Sequence, residues 1–124
     1  MAKAKSDDKV DPALLVSFAD EAKRRCNVIT AGLDTGTRDY ETLRAEAHAL
    51  RGTSAVIGLQ RLSELAGLME SDLAEATKTG DLRGGRTHQI SDAAKALAEG
   101  AAAAAEGKEE PPDVGRSLAQ LFSA

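Results

Sequence analysis

YETLRAEAHALRGTSAVI, residues 40–57, is the stretch that decides the fold. Tyr40, Leu43, Ala47, Leu50, Ser54 and Ile57 recur at spacings of 3, 4, 3, 4 and 3, the signature of one buried stripe on an α-helix. At about 100° per residue, His48 falls roughly 135° from the mean direction of that stripe and therefore faces solvent. The same periodicity extends outward on both sides. Upstream, Asp11 and Pro12 make a helix start, followed by Leu15, Phe18, Ala22, Cys26, Ile29 and Leu33, with Gly32 and Gly36 marking the end. The second helix itself begins around Thr37, and Gly58 marks a turn after it.

Downstream, Leu59, Leu62, Ala66, Met69, Leu73 and Ala76 form a third stripe, widened by Leu65 and Leu68, that stops near Gly80. Asp81 and the Gly84-Gly85 pair supply the next connection. A fourth helix runs from about Arg86 with Ile90, Ala94, Leu97, Ala101 and Ala105 inward, and its alanine run 101–105 reads as a helix end of high intrinsic propensity. Four amphipathic helices with short connections predict an all-α, antiparallel up-down-up-down four-helix bundle over 11–107. Residues 1–10 read as a flexible N-terminus. Residues 108–124 read as a Pro-containing linker and a short amphipathic C-terminal helix, capped by Asp113, with Val114, Leu118, Leu121 and Phe122 on one face. That last helix either folds back to cap the bundle, the preferred expectation, or presents itself to a partner.

Composition narrows the chemistry. Of 52 apolar residues in the 124-residue chain, 24 are alanine, so a small leucine-dominated core serves a single domain. One cysteine excludes an internal disulfide framework and fits a reducing compartment. No apolar run approaches the roughly 20 residues of a membrane span, and Met1–Val10 is polar with mixed charge, so the chain is expected in the cytoplasm, away from membranes. Sixteen basic and 20 acidic residues are interspersed to a net charge of −4, which argues against a nucleic-acid-binding field. No Walker-type or other glycine-rich nucleotide loop is present, so intrinsic kinase or ATPase activity is not expected.

The second helix holds the informative cluster. Arg44 and Arg51 lie one turn below and above His48 on the same side. Ala45, Ala49, Gly52 and Ala55 strip the surrounding surface of side chains. A mid-helix glycine costs about 1 kcal/mol against alanine, which a purely structural helix has no reason to accept. An imidazole with a free ring nitrogen is a nucleophile near neutral pH. Flanking guanidiniums would favour its neutral form and offer charge-assisted hydrogen bonds to a phosphoryl group. An ordinary surface histidine beside a packing glycine is the plain alternative.

From His48 to Glu70 the residues resemble the histidine-containing phosphotransfer (HPt) domains of bacterial phosphorelays. The pattern H-x-L-[KR]-G, a small polar pair, a glycine ten residues after the histidine, leucines on the next helix and a closing L-[LM]-E is matched at His48, Leu50, Arg51, Gly52, Ser54, Gly58, Leu62, Leu65, Leu68 and Glu70. The resemblance implies that His48 is the phosphoacceptor, that Arg51 replaces the usual lysine beside the phosphoryl group, and that Gly52 keeps the ring accessible. It implies a stand-alone, monomeric phosphocarrier that moves a phosphoryl group from aspartate to histidine to aspartate between response-regulator receiver domains fed by a hybrid histidine kinase. It implies no cofactor or metal of its own, with Mg²⁺ on the receiver. Receivers are expected to dock through Ala45, Ala49, Ala55 and Leu59. Gly67, where many members carry cysteine or alanine, departs from the pattern, as does arginine at 51.

Two other readings stand beside it. One is a non-catalytic helical adaptor that binds receivers or kinases without turnover. The other is a detached phosphotransfer module of a chemotaxis-type kinase, against which the ending at Ala124 counts. Elsewhere, His88 reads as a surface or interhelical contact, Cys26 as a small buried hydrophobe, and Glu70 as a surface carboxylate or salt-bridge partner. Lys23-Arg24-Arg25 and Arg83 with Arg86 read as solvated cations, positioned to steer an acidic receiver.

Overall fold

The computed structural model describes residues 10–123, and the described residues contain five α-helices and no strand. The predicted flexible segment lies, apart from Val10, outside the described residues, as does Ala124; Val10 itself is half-buried against the core.

Helix α1 spans Pro12–Asp34 and starts where Asp11 accepts a hydrogen bond from the Ala13 N–H at 2.9 Å, with proline at the first helical position. It buries Phe18, Ala22, Cys26, Ile29 and Leu33. Helix α2 spans Tyr40–Val56 and begins three residues later than the sequence suggests. Asp39 takes the cap, accepting from the Thr42 N–H at 3.2 Å and its hydroxyl at 2.6 Å, while Thr37 instead accepts from the Asp39 N–H within the turn. These bonds hold the Asp39 carboxyl below its ordinary pKa, the Thr42 hydroxyl contributing most. The α2 stripe is buried as its spacing predicts, and the polar Ser54 within it is satisfied by donating to the Leu50 carbonyl at 2.6 Å.

Gly58 turns the chain with φ +84°, closing α2 in a Schellman motif: its N–H bonds the Ala55 carbonyl and the Leu59 N–H bonds the Ser54 carbonyl. Helix α3 then runs Gln60–Thr79, ending at left-handed Gly80, φ +88°. A short 3-10 turn, Arg83–Gly85, leads into α4, Thr87–Ala105. Helix α5, Pro112–Phe122, follows the proline linker, with Pro111 rather than Asp113 at its cap; Asp113 instead pairs with Arg116 in the first turn.

The long-range pairs run in opposite order between successive helices. Arg25 meets Glu46 and Gly32 faces Leu43; His48 meets Glu70 while Arg38 reaches the Gly80 carbonyl; Arg86 meets Asp72 while Gly100 faces Leu62. Helices α1 to α4 therefore form an antiparallel up-down-up-down bundle, with α1 packed chiefly on α4 and α2 on α3. Helix α5 folds back into the groove between α3 and α4. This is the capping arrangement, with a different buried face: Val114, Ser117 and Leu121 are inside, Leu118 is half-buried, and Phe122 is 80% exposed.

The α4 sequence explains how a fifth helix fits. A Cβ built on Gly100 would stand 2.8 Å from Leu62 Cδ2 and 3.2 Å from Val114 Cγ2, so glycine there lets α3 and α5 approach together. Ala101 and Ala103 in the alanine run are buried, whereas Ala105, placed inward from sequence, is only half-buried. The run does end α4, but it also supplies small residues to a helix packed on more than one side.

Two cations expected in solvent are structural. Arg86 is 6% exposed, donating to Asp72 at 2.8 Å and to the carbonyls of Leu121 at 3.1 Å and Ser123 at 3.5 Å, so it ties the end of α5 to α3. Arg25 is half-buried, bridging Glu21 at 2.8 Å and Glu46 at 2.9 Å, which couples α1 to α2 and raises its own pKa, chiefly through the Glu21 hydrogen bond. Both carry carboxylate partners on neighbouring turns or helices, which relieves the cost of leaving water. Cys26 is buried as expected, and desolvation pushes its thiol up to about 12.

Candidate functional site

His48 projects from the middle of α2 with its side chain 58% exposed. The helix positions it by default, because the buried stripe occupies the opposite side. Its orientation comes from α3: Nδ1 lies 2.9 Å from Glu70 Oε2. A carboxylate can only accept, so in the neutral ring Nδ1 carries the proton and Nε2 keeps its lone pair toward solvent.

Glu70 is the hub of the cluster and, at 15% side-chain exposure, its most buried member. Arg44 Nη1 donates to Oε2 at 3.3 Å. Arg51 Nε stands 3.2 Å from Oε1, near enough for charge pairing but without the alignment of a hydrogen bond, and Oε1 has no hydrogen-bond partner. Two cations next to one carboxylate offset the cost of its burial. The cations differ in what they have left to offer. Arg44 also makes a two-toothed contact with Glu41, Nε to Oε1 at 2.9 Å and Nη2 to Oε2 at 2.7 Å. That contact lowers the Glu41 pKa and raises the Arg44 pKa. Arg51 is more exposed than Arg44, and its terminal nitrogens make no hydrogen bond among the described residues.

The surface beside the ring is open. A Cβ on Gly52 would meet nothing within 4 Å. A shallow depression of about 450 Å³ runs alongside, lined by Glu21, Arg25, His48, Ala49, Gly52, Thr53 and Val56. Ala45 and Ala55 are exposed, Ala49 is half-buried, and Leu59 is half-buried at the cap of α3.

The two departures at positions 51 and 67 meet in space. A Cβ on Gly67 would stand 3.3 Å from Arg51 Cδ, so the arginine stem lies across the glycine on its way to Glu70. The structure also brings in residues that the sequence did not single out for the site. Glu70 is matched in the motif, but its place under the ring follows only from the α2–α3 register. Val56, 86% exposed at the edge of the depression, gives no sequence signal beyond lying off the buried stripe. His88 is exposed and lies outside this cluster. Among the described residues, no three His, Cys, Asp or Glu side chains are grouped to hold a metal ion, and no helix is long and apolar enough to cross a membrane.

The described residues thus form a helical bundle that holds an exposed imidazole against a half-buried carboxylate, with open surface beside the ring. The family model for the Hpt domain matches residues 13–107, and the chain belongs to that family, the phosphotransfer modules of two-component systems. No curated protein and no solved structure matches the chain.

Proposed function

We propose that His48 carries a phosphoryl group between the aspartates of receiver domains, the chain acting as a stand-alone cytoplasmic phosphocarrier that a hybrid kinase feeds. The observation that carries this reading is the oriented ring: Nδ1 bound to Glu70, Nε2 without a hydrogen-bond partner among the described residues, and open surface one turn on at Gly52. In the forward step the Nε2 lone pair attacks phosphorus of an aspartyl phosphate. The N–P bond forms as the P–O bond breaks, and the electron pair leaves with the aspartate carboxylate. The proton stays on Nδ1, so the ring becomes cationic, and the Glu70 carboxylate 2.9 Å away is placed to stabilise that charge. Arg51 has terminal donors to offer the phosphoryl oxygens. Arg44, committed to Glu41 and Glu70, holds the carboxylate in place. The second transfer is the same step reversed onto another aspartate, with Mg²⁺ on the receiver.

Labelling tests this. Incubated with a phosphorylated receiver or hybrid kinase from the same organism, the protein takes up label that survives alkali and is lost in acid. His48→Gln abolishes uptake and His88→Gln does not; the opposite pattern refutes the assignment. Binding to a receiver without uptake from any of them would favour the non-catalytic adaptor instead.

A further inference from the structure

Helix α5 lies beyond residue 107, where the family match ends. It nonetheless borders the site. An open groove of about 530 Å³ takes its lining from three helices: Arg51 from α2, Gly67 and Leu68 from α3, and Leu118, Ala119 and Phe122 from α5. Its charged lining also includes the exposed Glu64 and Arg61, whose Nε pairs with Glu110 at 2.9 Å; of the two lining arginines, Arg51 is the one beside His48.

The exposed Phe122 ring is not on a loose end. Arg86 binds the carbonyls on either side of it, Leu121 at 3.1 Å and Ser123 at 3.5 Å, while Leu121 itself is buried. The last turn of α5 is thus anchored with its aromatic side chain held in water. Together with half-buried Leu68 and Leu118, it gives the groove an apolar floor and edge.

What covers that groove follows from the geometry of transfer. A phosphoryl donor must come within roughly 3–3.5 Å of Nε2. A specific complex buries on the order of 800 Å² per partner, a disc of about 16 Å radius. Arg51 is one helical turn from His48, and neighbouring helices lie about 8–10 Å apart. A globular partner seated on His48 therefore extends over Arg51 and into the groove. Arg51 faces its acidic, phosphoryl-bearing centre, and the α5 edge meets apolar surface beside that centre. A second copy of this chain in the same place would cover Arg51 and close off the ring.

We infer that α5 is part of the docking surface for receiver domains, with Phe122 and Leu118 as its apolar contacts. The inference rests on the reading of His48 as carrier, and the test separates the two. Phosphoramidate, a small donor that needs no docking surface, labels the wild-type protein at His48; no label there refutes the carrier reading itself. Receiver domains from the same genome, each phosphorylated with acetyl phosphate, are then assayed for transfer to wild type, Phe122→Glu and Ala119→Arg. Both substituted positions lie on the outer side of α5, and thermal melts confirm that the variants fold. For every receiver that serves the wild type, kcat/KM falls about tenfold or more in both variants. The loss lies in KM, with the rate at saturating receiver retained, and Leu14→Glu, exposed on α1, changes nothing. Transfer within about twofold of wild type for all such receivers overturns the inference. So does sedimentation showing a wild-type dimer that Phe122→Glu dissociates without loss of transfer, which would assign the groove to a second copy.

Discussion

Gly52 offers the sharpest separation of stability from function in this protein. It sits inside α2, four residues before the helix ends, with helical backbone and open space for 4 Å around the position a Cβ would take. Alanine there meets no neighbour and gains the full helix-propensity difference, about 1 kcal/mol. For a domain of this size the unfolding entropy, near 2.1 cal/mol/K per residue, converts 1 kcal/mol into a Tm rise of about 4 °C. Larger side chains face the same open space, so Gly52→Phe keeps the helix and stays within about 1 kcal/mol of wild type, because aromatic residues have intermediate helix propensity. Transfer behaves oppositely. Alanine adds one carbon beside the ring and leaves uptake near wild type, whereas Gly52→Phe occupies the clearing and slows uptake from a phosphorylated receiver by about a hundredfold, the scale set by misplacing reacting atoms by about 1 Å. Thermal denaturation followed by circular dichroism and single-turnover labelling measure the two sides. A lower Tm for Gly52→Ala, or wild-type transfer by Gly52→Phe, would refute the reasoning.

Three further outcomes follow from the same geometry. Glu70→Ala removes the acceptor for Nδ1 and slows uptake by roughly 10- to 100-fold, with Glu70→Gln intermediate because its carbonyl still accepts; ¹⁵N shifts of the His48 ring report the tautomer, and an unchanged tautomer in Glu70→Ala refutes the orienting role. Arg86→Met leaves Asp72 and the Leu121 carbonyl without their partner and costs about 3–5 kcal/mol in chemical denaturation, while a loss under about 1 kcal/mol would show that the bridge does not anchor α5. Cys26, buried and with its thiol pushed up to about 12, resists thiol reagents in mildly alkaline buffer until the protein unfolds; rapid labelling of the native protein would contradict its place in the core.

The helical stripes are legible in the sequence because burial on a regular helix imposes a local period: Phe18 to Leu33, Tyr40 to Ile57 and Leu62 to Ala76 are inside as their spacing requires. Gly80 is legible as a stop because a left-handed cap favours glycine. Sequence and structure part where a residue's environment comes from another element. Arg86 reads as a solvated cation beside a glycine pair, yet Asp72 lies fourteen residues away and the Leu121 carbonyl thirty-five. In α5 hydrophobicity points to Phe122 as an inward residue, but the small Ser117 lies against the bundle and the phenyl ring outside, since close packing on α4 rewards a small side chain.

For the site, the sequence by itself determined that His48 is exposed, that Gly52 opens the surface beside it, and that arginines flank it, all consequences of angular position on one helix. Tertiary structure alone decided what those groups do. The packing of α3 and α5 against α2 puts the Glu70 carboxylate under Nδ1, adds Glu70 to the partner that Arg44 already has in Glu41 on its own helix, lays Arg51 across Gly67, and brings α5 up to the far side of Arg51. A helix's own sequence carries the direction of each side chain, because the period is local. Its partners on other helices, and with them the proton's position on the imidazole, depend on contacts between residues far apart in the chain, 22 positions for His48 and Glu70.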